Sequence, residues 1–253
     1  MTQHHLQGRT ESEVLWFQRR GFLQAAAAWT TMGGYGATLA QSRSNVVQAT
    51  GDITINGGRM AAQQTVQTGD TIATGPGSSL IFVIGSSAFH VRQNSMMTVE
   101  RGASLFAVNV LRLITGAVVS VWGKGSNRLI VTPTLTAGIR GTGVYTEVFA
   151  DQDNRSYFCN CYGLVDMSAG RDKVVSRSDY HQAFWGEVAP KNNRSLTAAK
   201  AINHTDEELE FLARLTGQQT AWQISGKKGA KDGKGYMEEK EGLKHPADMQ
   251  GKW

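Results

Sequence analysis

Val66-Gln67-Thr68-Gly69-Asp70-Thr71-Ile72-Ala73-Thr74-Gly75, followed after Pro76-Gly77-Ser78 by Ser79-Leu80-Ile81-Phe82-Val83-Ile84-Gly85, carries the pattern that decides the fold. Short apolar or β-branched runs are separated by Gly-Asp and Gly-Pro-Gly, residues that supply turn dihedrals. Each run is too short for an ordinary helix and the right length for a strand. The same punctuation extends in both directions. Gly51-Asp52-Ile53-Thr54-Ile55-Asn56-Gly57 reads as a strand with a turn at each end, and Ala88–Arg92, Met96–Arg101, Leu105–Ile114, Ala117–Trp122 and Leu129–Thr132 read as further strands. Their spacing of roughly eight to twelve residues, with no alternation of strand and helix, predicts a mainly β fold. A sandwich, a barrel or a β-solenoid-like coil all satisfy the pattern, and no strict repeat length singles out the solenoid.

Composition agrees. The 253 residues are 40% hydrophobic and 19% charged, enough for one sizeable core with an appendage rather than two full domains. Twenty-nine Gly against four Pro fit many tight turns. The net charge of +5 comes in part from Arg9, Arg19, Arg20 and a Lys-rich stretch after Ser225, so the body carries no concentrated basic footprint and no nucleic-acid partner is expected. One amphipathic helix is predicted near the end. Thr205 is its N-cap, Glu208 completes a capping box, and Leu209, Leu212 and Leu215 form one stripe. Beyond Gly226 the chain is Lys, Gly, Asp and Glu with almost no apolar residues, which predicts a flexible tail.

At the other end, Phe17-Gln18-Arg19-Arg20-Gly21-Phe22-Leu23-Gln24 resembles the bacterial twin-arginine export motif, with Arg19, Arg20, Phe22 and Leu23 at its core positions. Ala25 to Ala40 is uncharged but only weakly apolar, which suits a processed signal better than a permanent anchor. Thr38 and Ala40 fit a signal-peptidase site, so a mature chain starting near Gln41, in the periplasm and without a transmembrane span, is expected. The expected organisation is a signal segment over 1–40, a β domain over 41–190, a helical segment over 191–225 and a flexible tail over 226–253.

With those strands placed, Gly51 to about Cys161 resembles the FecR-like domain, the periplasmic module named after iron-dicitrate sensor regulators. The resemblance is carried by Val66–Gly75, by Ser79–Gly85, and by Thr132-Pro133 leading into Gly138-Ile139-Arg140-Gly141-Thr142-Gly143. Tyr157–Gly163 and Asn203–Leu209 are similar to a short exported subgroup of that family. The resemblance implies a β-rich, coil-like fold and a non-enzymatic binding, sensing or scaffold role, with an envelope protein or cell-wall component as partner and no cofactor. The sensor regulators place an anti-sigma region before a membrane helix. Here fewer than twenty residues precede the Arg pair, so a relay to a cytoplasmic sigma factor by this chain alone is not expected.

Several residue types remain to be weighed for chemistry. Cys159 and Cys161 are the only cysteines, and in a strand their spacing puts both sulfurs on one face. A strained direct disulfide, capture of a soft metal with His181, His204 or a Met, and a pair of inert thiols are all open. The first two of these make a periplasmic redox or metal-binding protein that uses the Cys-x-Cys pair the alternative to the scaffold reading. Arg140 and Thr142, in their glycine-rich surroundings, form a candidate anion-binding pair, set against an Arg that merely pairs with an acid. Asp70 reads as a turn residue. Ser178 near His181 suggests a hydrolase only weakly, because no Gly-x-Ser-x-Gly elbow accompanies it. Trp122, Trp185 and Trp222 read as packing aromatics.

Overall fold

The computed structural model describes residues 44–102, 107–125 and 128–228. The expected signal segment, the tail beyond Lys228 and the first residues of the expected Leu105–Ile114 strand lie outside the described residues. The strands in chain order are β1 (Val46–Thr50), β2 (Ile53–Ile55), β3 (Gly58–Arg59), β4 (Thr71–Thr74), β5 (Ser79–Ile84), β6 (Ser87–Val91) and β7 (Met96–Arg101). They continue as β8 (Val108–Trp122), β9 (Arg128–Val131), β10 (Thr136–Phe149), β11 (Arg155–Ala169), β12 (Asp172–Ser178), β13 (Gln182–Lys191) and β14 (Arg194–Ala199). Helices α1 (Asp206–Leu215) and α2 (Ala221–Ser225) follow. The fold is mainly β, as the strand spacing predicts.

All the strands belong to one hydrogen-bonded sheet, which three long strands fold into two layers. The second half of β8 pairs with β6 and β10, whereas its first half pairs with β7 and β9. β10 and β11 divide their partners in the same way. One layer therefore runs β14-β13-β11-β10-β8-β6-β5-β1 and the other β12-β11-β10-β9-β8-β7-β4-β2-β3. The change of layer in β8 and β11 falls at Gly116 and Gly163, with φ of 76° and 103°. A Cβ at Gly163 would stand 2.5 Å from Thr142 Cγ2, so both the backbone angle and the space exclude a larger residue. A run of alternating signals interrupted by glycine thus forms a bent strand where a turn is expected, and Leu105–Ile114 and Ala117–Trp122 join as β8. Among the described residues all pairings are antiparallel except β8 with β9, so the sandwich-like form is realised rather than a solenoid of stacked parallel coils.

Alternation along the strands sorts side chains into two cores. Phe82, Phe89, Trp122, Val144 and Phe158 of the first layer meet Ile72, Met97, Leu111, Ile139 and Val165 of the second. The other face of the first layer bears Ile81, Val119, Val121, Tyr145, Tyr157, Cys159 and Cys161, and is covered by Leu209, Phe211, Leu212 and Trp222 of the helices. Buried on both faces, the second half of β8 reads as a nearly continuous apolar run, Ala117-Val118-Val119-Ser120-Val121-Trp122, without the alternation of a half-exposed strand.

The C-terminal boundary differs from expectation. The sheet runs on through β14 to Ala199, past the expected limit at residue 190, because Asn192 and Asn193 adopt positive φ and close a β13–β14 hairpin. Among the described residues the cap holds a second short helix beside the expected one. α1 has the expected capping box between Thr205 and Glu208, and α2 starts at a second box between Thr220 and Gln223. Among the described residues no helix is long and apolar enough to cross a membrane.

Candidate metal centre

Residues 159 and 161 of β11 point toward the cap, as the period of a strand requires, and both cysteines are wholly buried and unbridged. Two histidines join them from different parts of the chain. His181 stands just before β13 with φ of 40°, its backbone N–H donating to the Cys161 carbonyl over 2.9 Å, which pins the ring beside the sulfurs. His204 arrives from the cap through Asn203, which has φ of 59°, and its ring stacks on Tyr145 with centroids 4.8 Å apart. One ligand atom from each of Cys159, Cys161, His181 and His204 lies within 4.8 Å of the others.

The short distances have the scale of a tetrahedral site. Cys159 Sγ is 3.6 Å from His181 Nδ1, and Cys161 Sγ is 3.4 Å from His204 Nε2. Two ligands at ordinary Zn–S and Zn–N lengths stand about 3.5 Å apart across a tetrahedron. The outward nitrogens are committed. His181 Nε2 lies 3.0 Å from Asp206 Oδ1 and His204 Nδ1 lies 2.6 Å from the Ile202 carbonyl. Both partners accept, so both outward nitrogens carry hydrogen and turn their lone pairs inward. These inward nitrogens, His181 Nδ1 and His204 Nε2, are 2.9 Å apart. Two facing lone pairs at that distance repel unless a cation stands between them, and only a proton or a metal ion supplies one. Outer partners of this kind are what fix and strengthen histidine ligands.

Electrostatics point the same way. Burial pulls the His181 pKa down, but the Asp206 carboxylate and the Cys159 sulfur outweigh it and hold the group at about 9. Burial pushes the Cys159 thiol up, yet its contacts with Cys161, His204 and His181 bring it well below the usual thiol range. Cys161 is raised by burial and by the neighbouring sulfur. A bound dication would take the place of the protons that these ligand atoms share.

Aromatic rings close the site. Trp222 stacks on His181 with centroids 5.4 Å apart and packs edgewise on Tyr162 and Tyr180. The Tyr180 hydroxyl donates to Asp206 Oδ2 over 3.0 Å, and Lys228 Nζ is 3.4 Å from the same oxygen. Beside the centre, Arg92 makes two bonds of 2.8 and 2.7 Å to the Glu208 carboxylate and a third to the Asn203 carbonyl, while His90 Nδ1 lies 3.3 Å from Glu208. The turn that presents His204 is thereby clamped to β6 and its flank.

The other expected residues are placed elsewhere. Arg140 is exposed and pairs with Asp166 at 2.6 Å, and Thr142 is wholly buried, so the two do not converge on one anion site. A Cys159–Cys161 disulfide is not formed; in an extended strand their Cα atoms are about 6.6 Å apart, at the far limit of bridge geometry. His181 turns both nitrogens to Cys159, His204 and Asp206, which leaves neither for a serine. Asp70 is a turn residue, its carboxylate accepting from the Gln67 N–H and the Asn56 amide. Asp206 is the functional residue that the sequence reading missed, since an acid in the first turn of a helix is expected on dipole grounds alone.

No protein-family model and no curated protein matches this chain. Two crystal structures of a provisionally named anti-sigma factor from Parabacteroides distasonis, at 1.65 and 2.50 Å resolution, are similar to it at 8% identity and a TM-score of 0.42. The first similarity covers 61% of this chain and 62% of that one, the second 63% of each. The chain thus spans about three fifths of the length of the structures it matches. Neither similarity assigns it a family or a role.

Proposed function

We propose that this protein is a non-enzymatic metal-binding module of the bacterial cell envelope, in which Cys159, Cys161, His181 and His204 hold one four-coordinate ion of the Zn²⁺ class. The observation that carries this reading is the convergence of four buried ligand atoms whose outer histidine nitrogens are already committed to Asp206 and Ile202. Two thiolates and two imidazoles make a closed tetrahedral set, and a closed set leaves no position for a reacting water, so the ion's part is to bind and to hold structure. The twin-arginine-like segment around Arg19 and Arg20 supports export to the periplasm, and the resemblance to FecR-like domains supports a sensing or scaffold role with an envelope protein as partner. The metal reading takes precedence over the anion reading at Arg140 because Arg140 already has its acid.

The test is elemental analysis of the full chain purified without added metal, repeated for Cys159→Ser and Cys161→Ser. About one equivalent of zinc in the unmodified chain, lost in both variants, is the expected result. A metal-free chain that also fails to take up Co²⁺ with a sulfur-to-metal absorption band overturns the proposal. Export is tested separately: Arg19→Lys with Arg20→Lys is expected to leave the protein in the cytoplasm, and unchanged fractionation would contradict it.

A further inference from the structure

We infer that the helical cap, residues 201–228, is the gate of the metal centre: the ion enters and leaves only when the cap lifts from the sheet. The inference rests on the metal reading above and adds how the site is filled and emptied. Its first ground is the origin of the ligands. Cys159, Cys161 and His181 belong to the sheet and its turns, but His204 belongs to the cap, and so does Asp206, which orients His181. The ligand set is complete only while the cap is docked.

Enclosure is the second ground. Cys159 and Cys161 have no exposed surface, and His204 and His181 are 3% and 8% exposed. Below them lies the layer of β8, β10 and β11, whose opposite face is packed into the core between the layers. Above them the Trp222 indole covers His181, with Nε1 donating to Glu210 Oε1 over 2.8 Å so that α2 is tied to α1. A chelator, or a protein donating metal, has to displace a cap element before it can touch a ligand. Exchange then follows the opening of a local unit of structure rather than collision with the ion.

The experiment loads the full chain with Co²⁺ and follows loss of the sulfur-to-cobalt absorption after addition of EDTA at rising concentration. The gate predicts a release rate that stops depending on EDTA concentration. It also predicts release at least about tenfold faster in Trp222→Ala, and a smaller acceleration in Glu210→Ala, which leaves the indole in place but removes its partner. Both variants keep all four ligands and are expected to bind one equivalent of Co²⁺. Should Trp222→Ala fail to fold, Glu210→Ala carries the test. Release proportional to EDTA throughout, at the same rate in the variants, overturns the gate while leaving the metal site intact. Absence of a thiolate–Co²⁺ spectrum in the unmodified chain overturns the metal site itself.

Discussion

Asp206 joins the chemistry of the site to its architecture. One carboxylate orients His181, accepts from Tyr180 and meets Lys228, while its backbone opens α1. Asp206→Asn keeps the shape and removes the charge behind His181, and the expected result is metal affinity weakened by about 10–100-fold with stoichiometry unchanged. A competition titration with a chromophoric chelator reads this, and an unchanged affinity would show that Asp206 serves the helix alone. Much of the centre is legible in the sequence as residue types. The Cys-x-Cys spacing gives two sulfurs on one face, and His181, His204 or a Met are open as further ligands, with His204 read first as a residue that fixes the start of the final helix. What local pattern does not give is their convergence, because His181 and His204 reach the sulfurs only through the positive-φ turns at His181 and Asn203. Nor does it give the fate of Arg140, whose partner Asp166 lies across the β10–β11 ladder.

The elements show where strand signals mislead. Gly116 and Gly163 look like turn residues, yet each bends a strand from one layer into the other. Gly163→Ala is expected to cost more than about 1 kcal/mol, since it meets both an unfavourable φ and Thr142; a denaturant midpoint equal to the unmodified chain would refute this. The cap depends on charge as well as apolar packing. Burial favours the neutral form of Glu208, but Arg92 and His90 hold its carboxyl well below the usual carboxylate range. A group depressed in the folded state stabilises fully above its unfolded pKa of about 4.3 and loses that contribution as pH falls further. Thermal stability is therefore expected to drop below about pH 4, with a shallower drop in Glu208→Gln, and equal slopes would exclude Glu208 as the origin. At neutral pH the same variant leaves the Arg92 guanidinium buried without its counter-charge, at a cost of about 3–5 kcal/mol.

Across the whole molecule, one sheet folded over at glycines leaves its first layer buried on both sides, against the second layer on one and against the cap on the other. The sequence signals the mainly β class through strand spacing and turn residues, and it marks α1 through its capping box. It does not signal the layering, because pairing of β8 with four different strands depends on contacts far apart in the chain. The second side of the sheet carries the proposed metal centre, so the four candidate ligands sit between sheet and cap rather than in a surface cleft. The central claim is that this junction holds a sulfur- and nitrogen-ligated ion. X-ray absorption at the zinc edge on the full chain as purified tests it most directly. The account predicts two sulfur neighbours at about 2.3 Å and two nitrogen neighbours at about 2.0 Å. An ion surrounded by oxygen and nitrogen alone, or no bound metal, would contradict it.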